Sequence, residues 1–299
     1  MAPPGLDRRA NEPPIPEGVD TRALHRQVRA ELRGLPKDLA EIVASHLVVA
    51  GQLIDDDPET AHAHAEAAKR RAARLPIVRE AVAETAYASG RYDVALQEFR
   101  ALRRMTGTQD FLPVMADCER ALGRPQIALK LAKESHRYEV EPALQIEMVI
   151  VEAGARADLG QHAEALRVLT AAVERFGAGG EKLRAARGRL WYAYGEALLR
   201  SESRGAERER DARHAFATAA ALDPDRETDA AERVDELDGI VIDYDENEDE
   251  DGDDEQYGPV HSGERVQAGE RVQVDERAQA GERAGRDSDE SGGAAGEAG

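Results

Sequence analysis

The chain has 299 residues, with 60 acidic and 40 basic side chains and a formal net charge of −20. Residues 227–299 hold 25 of the acids and 6 of the bases, which leaves 35 acids against 34 bases before them; such a neutral body argues against direct nucleic-acid binding. The single cysteine, Cys118, excludes an intrachain disulfide, and the longest apolar stretch, around Leu47 to Ile54, falls far short of the ~20 residues that span a bilayer.

The first 19 residues carry Pro3, Pro4, Pro13, Pro14 and Pro16, which fix φ and remove backbone donors, so a disordered leader is expected over 1–19. It has no apolar h-region, and no secretory signal is expected. Helical signals begin at Asp20-Thr21, with Leu24, Val28 and Leu32 at four-residue spacing. Pro36 opens the next helix, whose apolar stripe takes in Leu39, Ile42, Val43, Leu47 and Leu53. Asp57-Pro58-Glu59 then reads as a cap, a first-turn proline and an acid suited to the helix dipole.

An alanine recurs in each of the following helix-turn-helix units, at Ala61, Ala95, Ala128, Ala165 and Ala212, with gaps of 34, 33, 37 and 47 residues. Gly90, Gly123 and Gly160 fall at the same point of three units, where a helix must stop. Small residues such as Ala83, Ala116, Ala132, Ala153 and Ala172 let paired helices approach closely, and Phe99 fills the space toward the next unit.

The last unit, WYAYGEAL from Trp191 to Leu198 followed by Ala212, Phe216, Ala219 and Pro224, resembles the tetratricopeptide motif. Tyr194 replaces the motif leucine, Leu198 replaces its tyrosine, and an insertion near SESRGAE accounts for the 47-residue gap. The resemblance covers Pro36 to Pro224, and the earlier units depart from it, with Arg79 or Leu112 at the tryptophan position. It implies an all-α, right-handed α-solenoid of about five helix pairs, extending over 20–238 with a capping helix near Asp225–Leu237. Beyond it, over 239–299, ten of the fourteen residues 243–256 are acidic and a six-residue repeat starts at Gly263, so a disordered low-complexity tail is expected.

Residues suited to catalysis are not clustered by any familiar spacing, and neither enzyme activity nor a cofactor is expected. His62 and His64, two apart, point ~200° from each other on a helix and read as surface residues. The run Asn247 to Gly258 mimics a calcium loop but ends in glycine where a bidentate glutamate is needed. Cys118, between Asp117 and Glu119, reads as a buried structural thiol. In the tetratricopeptide family the first helix of each pair lines a concave groove, and that register puts Glu80, Glu84, Tyr87, Asp117, Arg120, Glu147, Tyr192 and Glu196 in it. The resemblance therefore implies a cytoplasmic, non-enzymatic adaptor. Its acidic groove would take a basic or amphipathic segment of a partner protein, with no membrane partner. The competing reading is a nucleic-acid- or ribosome-associated factor whose acidic tail engages basic proteins.

Overall fold

A computed structural model describes residues 12–201 and 205–240. The acidic tail from residue 241, the calcium-loop-like run, most of the leader and part of the insertion at 202–204 lie outside the described residues. Within them every regular element is helical, and no helix is long and apolar enough to cross a membrane. The elements are α1 (Arg26–Leu32), α2 (Lys37–Leu53), α3 (Pro58–Ala72), α4 (Pro76–Ala88), α5 (Tyr92–Thr106) and α6 (Leu112–Ala121). They continue with α7 (Pro125–Ser135), α8 (Pro142–Asp158), α9 (His162–Phe176), α10 (Arg184–Arg200), α11 (Ala206–Leu222) and α12 (Ala230–Leu237).

Local chemistry sets the helix ends. Asp20 Oδ1 accepts from Arg22 N at 2.9 Å, and Asp57 Oδ1 from Thr60 N at 3.1 Å, as the cap signatures require. Three reversals share one geometry. Gly90, Gly123 and Gly160 have φ of 71°, 72° and 73°, and the residue after each donates back to the carbonyl of Ala86, Glu119 or Arg156. That six-to-one hydrogen bond is the Schellman closure, and it folds α5, α7 and α9 back on α4, α6 and α8.

Each helix from α2 to α12 packs on its chain neighbours, and α2 also meets α4, α6 meets α8, and α8 meets α10. Alanine governs the close approaches: Ala61, Ala95, Ala128, Ala165 and Ala212 are all buried. At the motif glycine, a Cβ added to Gly195 would lie 2.9 Å from the fully buried Phe216 ring, so the glycine is the seat of that ring. The apolar interior divides into six local clusters strung along the chain. Between them, buried carboxylates tie successive helices. Glu98 of α5 meets Arg79 of α4 at 2.5 Å and Lys69 of α3 at 3.0 Å, while Glu119 of α6 meets Arg100 of α5 at 2.5 Å. Each carboxylate is buried while its cationic partner stays partly exposed, so truncating it leaves a charge that water can reach and costs less than breaking a fully buried pair.

Three expectations need correction. The middle of α2 is not striped: Val43 to Ala50 are all buried, since α1, α3, α4 and the leader cover it from several sides. The leader is not structureless where it is described, because Glu12 is buried against α2 and α3. The terminal helix starts at Ala230 and not near Asp225. Asp223 accepts from the backbone of Glu227 and Thr228, which holds the intervening residues in a turn. Ala230 is buried, and Val234 and Leu237 pack on the cluster around Phe216, four and seven residues on along the same helix face.

Two glycine substitutions should change stability in opposite directions. Gly123→Ala places a Cβ at φ 72° and should cost about 1 kcal/mol in urea unfolding. Gly51→Ala lies in α2 with open space around the new methyl, and should stabilise by up to about 1 kcal/mol. A loss at Gly51 or no effect at Gly123 would contradict these local conformations.

Candidate functional site: a row of cavities on alternate helices

Three cavities lie along α4, α6, α8 and α10, and all eight of the expected groove residues line them. The first, about 240 Å³, is walled by α2 and α4 together with Leu24 and Val28, and it contains Glu80 and Glu84. The second, about 360 Å³, contains Tyr87, Asp117, Arg120 and Glu147. The third, also about 360 Å³, contains Arg120, Tyr192 and Glu196 over a floor of small and aliphatic side chains, among them Ala153, Gly154, Ala157 and Leu169. Arg120 and Ile150 line both the second and the third.

The polar groups in the second and third cavities are interlocked. Tyr87 Oη donates to Asp117 Oδ2 at 2.5 Å, bridging α4 to α6. Arg120 meets Asp117 at 2.9 Å and Asp158 of α8 at 2.8 Å. Glu147 is held by Arg189 at 2.7 Å, and Glu196 by Arg233 at 2.7 Å and Arg200 at 3.1 Å. Burial, with Asp117 as hydrogen-bond partner, raises the Tyr87 phenol, and burial with Asp229 raises Tyr192 to about 12. Both therefore remain hydrogen-bond donors at neutral pH. The expected acidic character is thus largely cancelled here, by arginines one turn away on the same helix (Arg120, Arg200) and by others distant in sequence (Arg189, Arg233).

The first cavity differs. Glu80 and Glu84 sit one turn apart on α4 and make no ion pair among the described residues. Glu84 reaches solvent, yet protein surrounds it on the cavity side. This burial and the adjacent Glu80 carboxylate push it up to about 7. Glu80 is raised as well, by burial and by Glu31.

The histidines expected at the surface are buried, because α3 lies between α2 and α4. Their opposite directions on the helix carry them to different neighbours. His64 Nδ1 lies 2.9 Å from His46 Nδ1 in α2, and His62 Nδ1 lies 3.2 Å from Thr85 Oγ1 in α4. His46 Nε2 in turn meets Glu12 at 3.1 Å, and Glu12 also meets Arg70 at 3.1 Å and Arg71 at 2.8 Å. With Glu12 ionised, His46 donates from Nε2, which makes its Nδ1 the acceptor and His64 Nδ1 the donor. The pair is satisfied when both rings are neutral. Burial opposes ionisation of Glu12, but the hydrogen bonds of Arg71, Arg70 and His46 outweigh it and hold its carboxyl down at about 2. Burial and the His46 ring push His64 down to about 4. No metal-binding group of three or more His, Cys, Asp or Glu occurs among the described residues. Cys118 is buried, and burial, with Asp117 and Glu119 beside it, pushes its thiol up to about 12, far from a nucleophile's range.

Sequence reasoning missed the arginine partners of the cavity carboxylates and the Glu12–His46–His64 chain. Arg120 and Arg200 lie at helical i,i+3 and i,i+4 spacing from Asp117 and Glu196 and could have been paired from the sequence, whereas Arg189, Arg233 and the histidine chain depend on how helices turn toward one another. Comparison with protein-family models gives no match, and comparison with curated proteins gives none either.

The histidine chain makes stability acid-sensitive. Between the ordinary histidine value of 6.5 and the folded value of about 4, the unfolded chain binds a proton that folded His64 refuses, so stability falls as pH drops through that window. Glu12 adds to the loss below its ordinary 4.5. Urea midpoints measured from pH 7 to pH 4.5 should fall steadily, and His64→Gln should flatten the slope by up to about 1.4 kcal/mol per pH unit. An unchanged slope in His64→Gln would show that His64 does not titrate in this way.

Proposed function

We propose that the chain is a cytoplasmic, non-enzymatic adaptor of the tetratricopeptide type. In this reading α2 to α11 form five helix pairs of a right-handed solenoid, and the row of cavities receives a helix or extended segment of a partner protein. The observation that carries it is the placement of the cavities. They open along alternate helices, α4, α6, α8 and α10, where the family's register puts a groove.

The lining supports a binding role. The floor of the third cavity is built from alanine, glycine and aliphatic side chains that leave room for a bulky apolar side chain. The rim is already ion-paired, so its charges are fixed in direction before a partner arrives, and less ordering entropy is lost on docking. Tyr87 and Tyr192 offer rigid aromatic edges beside those pairs, a residue type enriched at protein interfaces.

A labelled helical peptide with leucines along one face and lysines along the other tests this reading. It should bind with micromolar affinity and weaken as salt rises above ~0.15 M. Gly154→Phe fills the third cavity, where the atoms nearest a new Cβ are those of the Arg120 guanidinium, which the ring displaces. It should weaken the peptide about tenfold, equivalent to about 1.4 kcal/mol, with the helical circular-dichroism signal retained. Full affinity in a folded Gly154→Phe variant would argue against the groove.

A further inference from the structure

The carboxylates of the first cavity have no counterion among the described residues, although arginines hold Asp117, Glu147 and Glu196 further along the row. Among the described residues, Glu80 and Glu84 are the only charged side chains that line this cavity; the others that do so are Leu24, Val28, Leu47, Ile54 and Ile77 with small neighbours and Thr85. Glu31 of α1 adds a third negative charge that Glu80 senses, while its own Oε2 accepts from Ile77 N at 3.3 Å. Across the cavity α2 contributes no charge, and His62 of α3, bonded to Thr85, is held neutral by burial and by Arg91. Like charges one turn apart on a helix destabilise it slightly. Here nothing on the facing helices relieves the repulsion.

An aliphatic wall beside two uncompensated carboxylates matches one kind of side chain: a long apolar stem with a cationic tip. We infer that the cavity between α1, α2 and α4 is the subsite for a lysine or arginine side chain of the partner segment, with its stem on Leu24, Val28 and Ile54 and its charge between Glu80 and Glu84. This rests on the groove reading and refines it. The charged end of the partner is placed at α4, and its apolar face is left to the cavity floored by Ala153, Gly154 and Leu169. Such an arrangement gives the bound segment a direction along the row, because the α8–α10 end offers a second lysine only carboxylates that are already paired.

Two peptides separate the possibilities: the leucine–lysine peptide and a neutral version with glutamine at each lysine. The intact protein should bind the lysine peptide about three- to tenfold more tightly. Glu80→Gln together with Glu84→Gln should abolish that preference and leave the glutamine peptide unaffected. The thermal midpoint of the double variant should stay the same or rise, since repulsion is removed. If the double variant keeps the lysine preference while Gly154→Phe weakens both peptides, the subsite is wrong and the groove stands. If neither variant affects either peptide, the groove is wrong too. A fall in thermal midpoint would make the two carboxylates structural and overturn the inference.

Discussion

The close approach of helices at alanine is the constraint on which the rest of this structure depends. Most of these helices are too narrowly amphipathic to be stable alone in water, and isolated helices of this length are marginal at best. Each gains its stability by laying a stripe of small and aliphatic residues on the next helix in the chain. With Ala61, Ala95, Ala128, Ala165 and Ala212 all buried, the backbones come near enough for side chains such as Phe99 and Phe216 to reach the adjoining unit. The result is a string of separate apolar clusters in place of one central core. If the proposed solenoid holds, stability is a sum of local terms and a substitution in one unit is felt chiefly by its two neighbours.

That locality explains what could be read in advance. The positions of Gly90, Gly123 and Gly160 identified three helix ends because a left-handed residue is a local demand, met within five residues of chain. Asp57-Pro58-Glu59 marked a helix start for the same reason. The eight cavity residues could be picked because they recur at one register of alternate helices. By contrast, only the partners one turn away, Arg120 for Asp117 and Arg200 for Glu196, are legible from spacing. Arg189 reaches Glu147 from 42 positions away, and Glu12 reaches His46 across 34. Histidines two apart at a helix surface also look solvated until a helix is known to have neighbours on both sides. Of the acidic residues that the family register picked out, Glu80 and Glu84 make no ion pair among the described residues, whereas Asp117, Glu147 and Glu196 are paired with arginine.

The distribution of ion pairs has its own logic. A half-buried carboxylate is costly if left alone, because water is partly excluded while the charge remains. Arginines resolve this for Asp117, Glu147 and Glu196, and each of those pairs also joins helices or segments: α6 to α8 through Asp117–Arg120–Asp158, α8 to α10 through Glu147–Arg189, and α10 to α12 through Glu196–Arg233. The network stiffens the later part of the row. No equivalent bridge crosses the first cavity, where Glu84 instead rises to about 7. Arg26 and Arg29 of α1 make no ion pair with Glu80 or Glu84 among the described residues, and residues such as Ala50 and Gly51 occupy the facing wall on α2.

Stiffness and residual charge together set what kind of recognition the row supports. A rigid apolar floor contributes roughly in proportion to the area it removes from water, about 25 cal/mol per Å², and does so for many side chains of similar size. It therefore discriminates poorly among partners that offer a leucine, a methionine or a phenylalanine. Paired rim charges add little discrimination either, since a new charge must compete with an existing partner. Uncompensated carboxylates act differently: they repel an acidic segment and attract a basic one with no intramolecular bond to break first. In the proposed adaptor, affinity would come from the alanine-rich cavity near α10 and selectivity from the carboxylates on α4, so the two properties could be altered independently.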